Sequence, residues 1–153
     1  MQTYNNYFFS AVAMFSVLKH KNKWKLSEVA LILPMITQPK IVKSLNLRRK
    51  DMSLLDLIVD KSDYFYNFNK MFHSYRFTSA NCVSLLIQMD LINFDKNSEE
   101  IIINENYPVD KISSIVNKDS RLKAIDKSSE KICKMLKEKI SISEIYIQLG
   151  VIL

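Results

Sequence analysis

Hydrophobic positions recur along this chain mostly at helical intervals. Residues 7–18, YFFSAVAMFSVL, form a 12-residue apolar run in which Phe8, Val12 and Phe15 fall at i, i+4 and i+7. Phe9, Ala13 and Leu18 widen that stripe, so the spacing predicts a helix apolar on most sides and therefore central. Asn5 or Asn6 can cap it. Lys19 to Lys25, KHKNKWK, reads as a polar link holding one tryptophan. Leu26 to Thr37, LSEVALILPMIT, is a second apolar stretch with a start near Ser27, and Pro34 should kink or end it near Leu33. Pro39 then sits at the first position of a short helix carrying Ile41, Val42 and Leu45.

Further along, Ser53-x-x-Asp56 resembles a capping box and opens a helix over 54–60. Residues 64–77 hold seven aromatics, of which Phe65, Phe68, Phe72 and Tyr75 share one helical face. Thr78 or Ser79 caps a helix through Val83, Leu86, Ile87 and Met89. Leu91, Ile92 and Phe94 then predict a strand, 95–99 a polar turn, and 100–104 a returning strand with three consecutive isoleucines. Helix, strand, tip and strand in that order look like the second half of a winged helix. Residues 109–116 predict a short helix, 117–120 a loop, and 123–139 an amphipathic helix with Ile125, Ile132, Met135 and Leu136 inward. Ser141-x-x-Glu144 caps a last helix with Ile142, Ile145 and Leu149 on one face, and Gly150 stands where a left-handed residue closes it. Val151 to Leu153 form an apolar tail that either packs down or meets a partner.

The expected fold class is mainly α (α+β): one domain over 1–153, with N-terminal helices over 5–77, a winged-helix-like helix and hairpin over 78–104, and C-terminal helices over 109–150. A chain of 153 residues buries roughly 68–70% of its unfolded surface, so a core of this kind needs no disulfide or metal staple. Cys82 and Cys133 match no ligand spacing and read as buried free thiols in a reducing cytoplasm. The run over 7–18 is shorter than the roughly 20 residues a membrane span needs, and no charge precedes it as in a signal peptide. The expectation is therefore a cytoplasmic location without membrane contact.

Composition narrows the chemistry. One glycine in the whole chain leaves no means of writing a phosphate-binding loop, a GxGxxG turn or a nucleophile elbow. His20 and His73 have no cysteine or carboxylate at ligand spacing, so they read as a solvated link residue and a helix-face residue. Glu99-Glu100 is the only adjacent acid pair, and it falls at the hairpin tip. No catalytic, cofactor-binding or metal-binding residues are assigned, and no cofactor is expected. The aromatic stripe reads as core in preference to a base-stacking platform, because its spacing is helical.

Charge is unevenly placed. The net charge is +6, yet residues 1–50 hold nine Lys/Arg against the single acid Glu28, while 51–153 hold 13 Lys/Arg against 15 acids. Two basic groups stand out: Lys19, Lys21, Lys23 and Lys25 around Trp24, and Arg48, Arg49 and Lys50. Phosphate contacts need surface cations without acids nearby, and by sequence both groups meet that condition. They are either solvated basic loops or surfaces for nucleic acid or an acidic partner.

The order of these signals resembles the middle component of bacterial three-component ABC systems, a group that includes the small accessory subunit of Lamassu-type anti-phage defence. The residues carrying the resemblance are NNYFFSAVAMF, LSEVALILPMI, QPKIVKSL, FNKMFHSYRF, NCVSLLIQMDLINFDKNSEEIII and SISEIYIQLGV, which span roughly 5–151. Two departures concern subfamily placement. Met89-Asp90-Leu91 stands where such proteins often have Gly-Leu or Gly-Leu-Leu, and Ile132, Met135 and Leu136 stand in the long C-terminal helix where a tryptophan or another aromatic is common. The resemblance implies a non-catalytic adaptor that binds an SMC-like (Rad50-like) ABC ATPase near its head and helps silence an effector, often a nuclease, until foreign DNA is sensed. DNA would then be met through the complex. The alternative is a stand-alone winged-helix regulator. Its recognition helix over 79–89 would carry no basic residue, and the wing tip would offer only Lys96 beside acids. A small enzyme of another type rests on no motif.

Overall fold

The computed structural model describes residues 2–48, 51–137 and 140–153. In chain order the elements are α1 (Gln2–Leu18), β1 (Lys23–Lys25), α2 (Leu26–Val29), α3 (Ile32–Ile36), α4 (Pro39–Leu47), α5 (Leu54–Asp60), a 3-10 turn (Ser62–Phe65), α6 (Phe68–Ser74), α7 (Arg76–Gln88), β2 (Ile92–Asp95), β3 (Glu100–Ile103), α8 (Val109–Asn117), α9 (Ser120–Leu136) and α10 (Ile142–Gln148). The chain is thus mainly helical with a small antiparallel sheet. Every residue from Ala11 to Leu18 is buried, so α1 is the central helix that its all-round apolarity predicts, and it packs chiefly on α7 and α9. Its backbone starts at Gln2, ahead of the expected caps Asn5 and Asn6, whose side chains lie outside the described residues. One contiguous core cluster takes in α1, the strands, α9 and the tail residue Val151.

The stretch expected as a polar link is a strand. β1 pairs antiparallel with β3, and β3 with β2, giving the order β1-β3-β2. Trp24 lies opposite Ile101, which lies opposite Phe94 on the other side. Trp24 is fully buried, and its Nε1 donates to the carbonyls of Leu18 at 2.9 Å and Lys21 at 3.2 Å. A helix leaves its last carbonyls unpaired, so the indole closes the end of α1 while filling the core beneath the sheet. With one apolar residue between lysines, KWK carries no alternating pattern of its own. The partner that makes it a strand is the isoleucine run of β3.

Helix ends follow local chemistry. Ser53 and Ser141 accept from the Asp56 and Glu144 N–H groups at 3.0 and 3.2 Å, as their spacing predicts. Asp119 accepts from the Arg121 and Leu122 N–H groups, which starts α9 at Ser120, earlier than the expected Lys123. The expected end of that helix, Lys139, lies outside the described residues. Pro34 neither kinks nor ends a helix. The break falls earlier, at Ala30 and Leu31, and Pro34 sits in the first turn of α3, where no backbone donor is needed. The aromatic stripe divides between the 3-10 turn and α6, with Phe65, Phe68 and Phe72 buried as core.

Two helices close with the same left-handed device. Gly150 has φ 74° and Val151 N–H reaches back to Tyr146 O at 3.0 Å; Asp90 has φ 61° and Leu91 N–H reaches Leu86 O at 3.0 Å. Asp90 lies in the Met89-Asp90-Leu91 segment where the resemblance leads one to expect a glycine. Tail packing is divided: Val151 is buried, the Ile152 N–H donates to Asn69 Oδ1 at 2.8 Å, and Leu153 is 90% exposed. Cys82 and Cys133 are buried free thiols, and burial pushes the Cys82 thiol up to about 12.

Two stability predictions follow from these closures. Trp24→Ala should cost about 3–5 kcal/mol, read by circular dichroism in urea because the protein's only tryptophan is then gone. Asp90→Gly should raise stability by about 0.5–1 kcal/mol in the same titration, since only the side chain opposes positive φ there.

Candidate functional site

The fold disperses the two basic groups and supplies acids from distant segments. Lys19 Nζ lies 2.5 Å from Asp126 Oδ1 on α9. Lys21 Nζ lies 2.9 Å from Glu28 Oε2 and 4.3 Å from the centre of the Trp24 ring. Trp24 itself faces the core. Lys23 and Lys25 point the other way, exposed on the outer face of an edge strand, with Glu100 opposite Lys25 in register. Asp95 at the end of β2 is held below the usual carboxylate range, first by the Asn97 N–H and the Ser98 hydroxyl and least by Lys23. The outer sheet face therefore carries both signs of charge. Lysines on a short edge strand also oppose strand-to-strand aggregation.

In the second group, Arg48 pairs with Asp60 at the end of α5, and its guanidinium holds that carboxyl below its usual range. Arg49 and Lys50 lie outside the described residues. Lys131 of α9 donates to the carbonyls of Leu45 at 2.7 Å and Arg48 at 2.5 Å, closing the end of α4. Lys134 lies 2.9 Å from Asp51. Asn46 donates through Nδ2 to Ala124 O at 2.9 Å, while its Oδ1 and Arg48 Nε are buried with no partner among the described residues.

A third basic set escaped the sequence reading because it is assembled from three segments. Lys40 and Lys43, one turn apart on α4, meet Lys61 and Tyr64 from the α5 side. The only local signal was the i, i+3 spacing of Lys40 and Lys43. An apolar surface lies elsewhere, around the tail. Two adjoining clefts of about 470 and 300 Å³ share Ser27 and Leu153 and are rimmed by the exposed Leu26 and Ile147. Among the described residues no group of three or more His, Cys, Asp or Glu is placed to hold a metal ion. No described helix is long and apolar enough to cross a membrane.

His20 is not simply a solvated link residue. Its Nε2 lies 2.8 Å from Ser129 Oγ, and partial desolvation, then the Lys19 charge, hold its pKa below 6.5. The unfolded chain therefore binds a proton at His20 more readily than the folded one. That contribution to stability is complete above the ordinary histidine value and is lost as pH falls through it. Urea titrations at a series of pH values should show this loss, and His20→Gln should flatten it.

No curated protein and no solved structure matches the chain. A family model does: ABC-three component (ABC-3C) system Middle Component 3, over residues 3–153. With the match covering nearly the whole sequence, the chain belongs to the Middle Component 3 family of ABC-three component systems.

Proposed function

We propose that this protein is a non-catalytic adaptor that bridges an SMC-like ATPase and its effector, a nuclease or other effector subunit, in an anti-phage complex of the Lamassu type. The observation that carries this reading is family membership along residues 3–153 as a middle component. Two features support it. The single glycine leaves nucleotide-binding loops to another subunit. Exposed apolar side chains around the tail, with Ile147 at 75% and Leu153 at 90% exposure, are of the kind that marks assembly surfaces. Of the described residues in the two basic groups, Lys23 and Lys25 face solvent outside any ion pair, although Glu100 lies opposite Lys25, and we assign them to contact with an acidic surface of a partner.

A second reading, a stand-alone winged-helix regulator, is favoured by one observation: the sheet order β1-β3-β2 with α7 leading directly into β2. Its weakness lies in the same elements. α7 offers one cation, Arg76, in its first turn, and the hairpin tip sets Lys96 between Asp95 and Glu99. Phosphate anchoring there would be weak.

Co-expression with the neighbouring genes separates the readings. The adaptor should co-purify with a large ATPase, and Lys23→Gln with Lys25→Gln should weaken that complex without lowering the melting temperature. A monomer that ignores the neighbours and binds a specific operator tightly would overturn the adaptor reading.

A further inference from the structure

Helix α4 stands as a ridge between two shallow grooves whose linings contain cations and no carboxylate. The first, of about 420 Å³, is lined by Lys40, Lys43, Ser44, Leu47, Arg48, Lys61 and Tyr64. The second, of about 250 Å³, has an apolar floor that includes Ile36, Val42 and Ile125, with Arg121 and Lys127 of α9 at its rim. Lys43 and Leu47 line both, so the grooves share α4 as a common wall. Six cations thus face one continuous surface. Arg48 is neutralised by Asp60, but no ion pair with a described residue engages the other five. Lys40 and Lys61 each sit 5.8 Å from the Tyr64 ring centre, and Arg121 lies 5.0 Å from that of Phe9.

The ring contacts give Lys40, Lys61 and Arg121 a part in packing, but Lys43 and Lys127 make no ion pair or ring contact with a described residue. Lys40 lies in the first turn of α4, where the helix dipole disfavours a cation and where no acid compensates. Lys40, Lys43 and Lys61 converge on one groove, and like charges held together raise a positive potential that Asp60 offsets at Arg48 and Lys61 and that a bound anion would offset further. Closely grouped lysines with no carboxylate among the lining residues are the kind of point charge that backbone contacts to nucleic acid use. Four of the six cations here are lysines.

We propose that the double groove astride α4 binds the phosphodiester backbone of duplex DNA without reading its sequence. Phosphates of one strand would follow Lys40, Lys43 and Lys61, with Arg121 and Lys127 reaching the strand across the ridge. The surface is distinct from Lys23 and Lys25 on the sheet and from the apolar clefts at the tail. The assignment does not rest on the adaptor reading.

The test is fluorescence anisotropy of the whole chain with a labelled mixed-sequence duplex of about 30 base pairs, at salt concentrations from about 50 to 200 mM. The variant combines Lys40→Ala, Lys43→Ala, Lys61→Ala and Lys127→Ala, and a control combines Lys111→Ala with Lys118→Ala on α8. The parent should bind with a log–log salt slope that the groove variant makes shallower by about 3 to 4, since each phosphate contact contributes about 0.9. The control should keep the parent slope, and the groove variant should melt no lower than the parent. An unchanged slope in the groove variant overturns the proposal. So does a parent that fails to bind the duplex while binding poly-L-glutamate, which would make the groove a site for an acidic protein.

Discussion

The indole of Trp24 is the contact on which the arrangement of the chain depends. It fills the space under the sheet, and its N–H closes the end of α1 through the carbonyls of Leu18 and Lys21. A buried indole without those acceptors would carry an unsatisfied donor, and α1 would end in unpaired carbonyls inside the core. Once Trp24 is seated, strand alternation turns Lys23 and Lys25 outward and sets β1 against β3. The neighbouring residues then bind the remaining layers to this point. Glu28 accepts from the Lys25 N–H at 2.7 Å and from Lys21, which fixes the start of α2. The Tyr146 hydroxyl donates to Ser27 O at 2.6 Å and brings α10 against it. Lys19 and His20 reach Asp126 and Ser129 on α9.

Much of this was legible in the sequence where the cause is local. The all-round apolarity of α1, the serine caps at Ser53 and Ser141, the closure at Gly150 and the hairpin with its three isoleucines all rest on residues within a few positions of one another. What was not legible rests on partners far along the chain. KWK becomes a strand only because Ile101 lies opposite Trp24. Asp90 takes a conformation usual for glycine because α7 must turn sharply into β2, and an aspartate tolerates it. Pro34 reads as a breaker, yet the break at Ala30 and Leu31 makes it harmless in the first turn of α3.

Charge shows the same limit more plainly. By sequence the first fifty residues are cations with one acid among them. In space, Asp126, Asp60 and Glu100 come from later segments and stand beside Lys19, Arg48 and Lys25. The surface that keeps its positive charge is the one around α4, assembled from Lys40, Lys43, Lys61, Arg121 and Lys127, which no window of sequence brings together. Electrostatic reading of a sequence therefore locates the cations, and only the fold says which of them remain uncompensated.

Membership of the Middle Component 3 family places this chain among the parts of a multi-component ABC system, and its scarcity of glycine fits a subunit whose nucleotide chemistry resides elsewhere. The proposed adaptor role requires that it join the ATPase to the effector. The most direct measurement is capture of the effector on immobilised ATPase, with this subunit present and absent, quantified by native mass spectrometry. The account predicts that the effector is retained only when the subunit is present and that all three appear in one assembly. Equal retention of the effector without the subunit would contradict it.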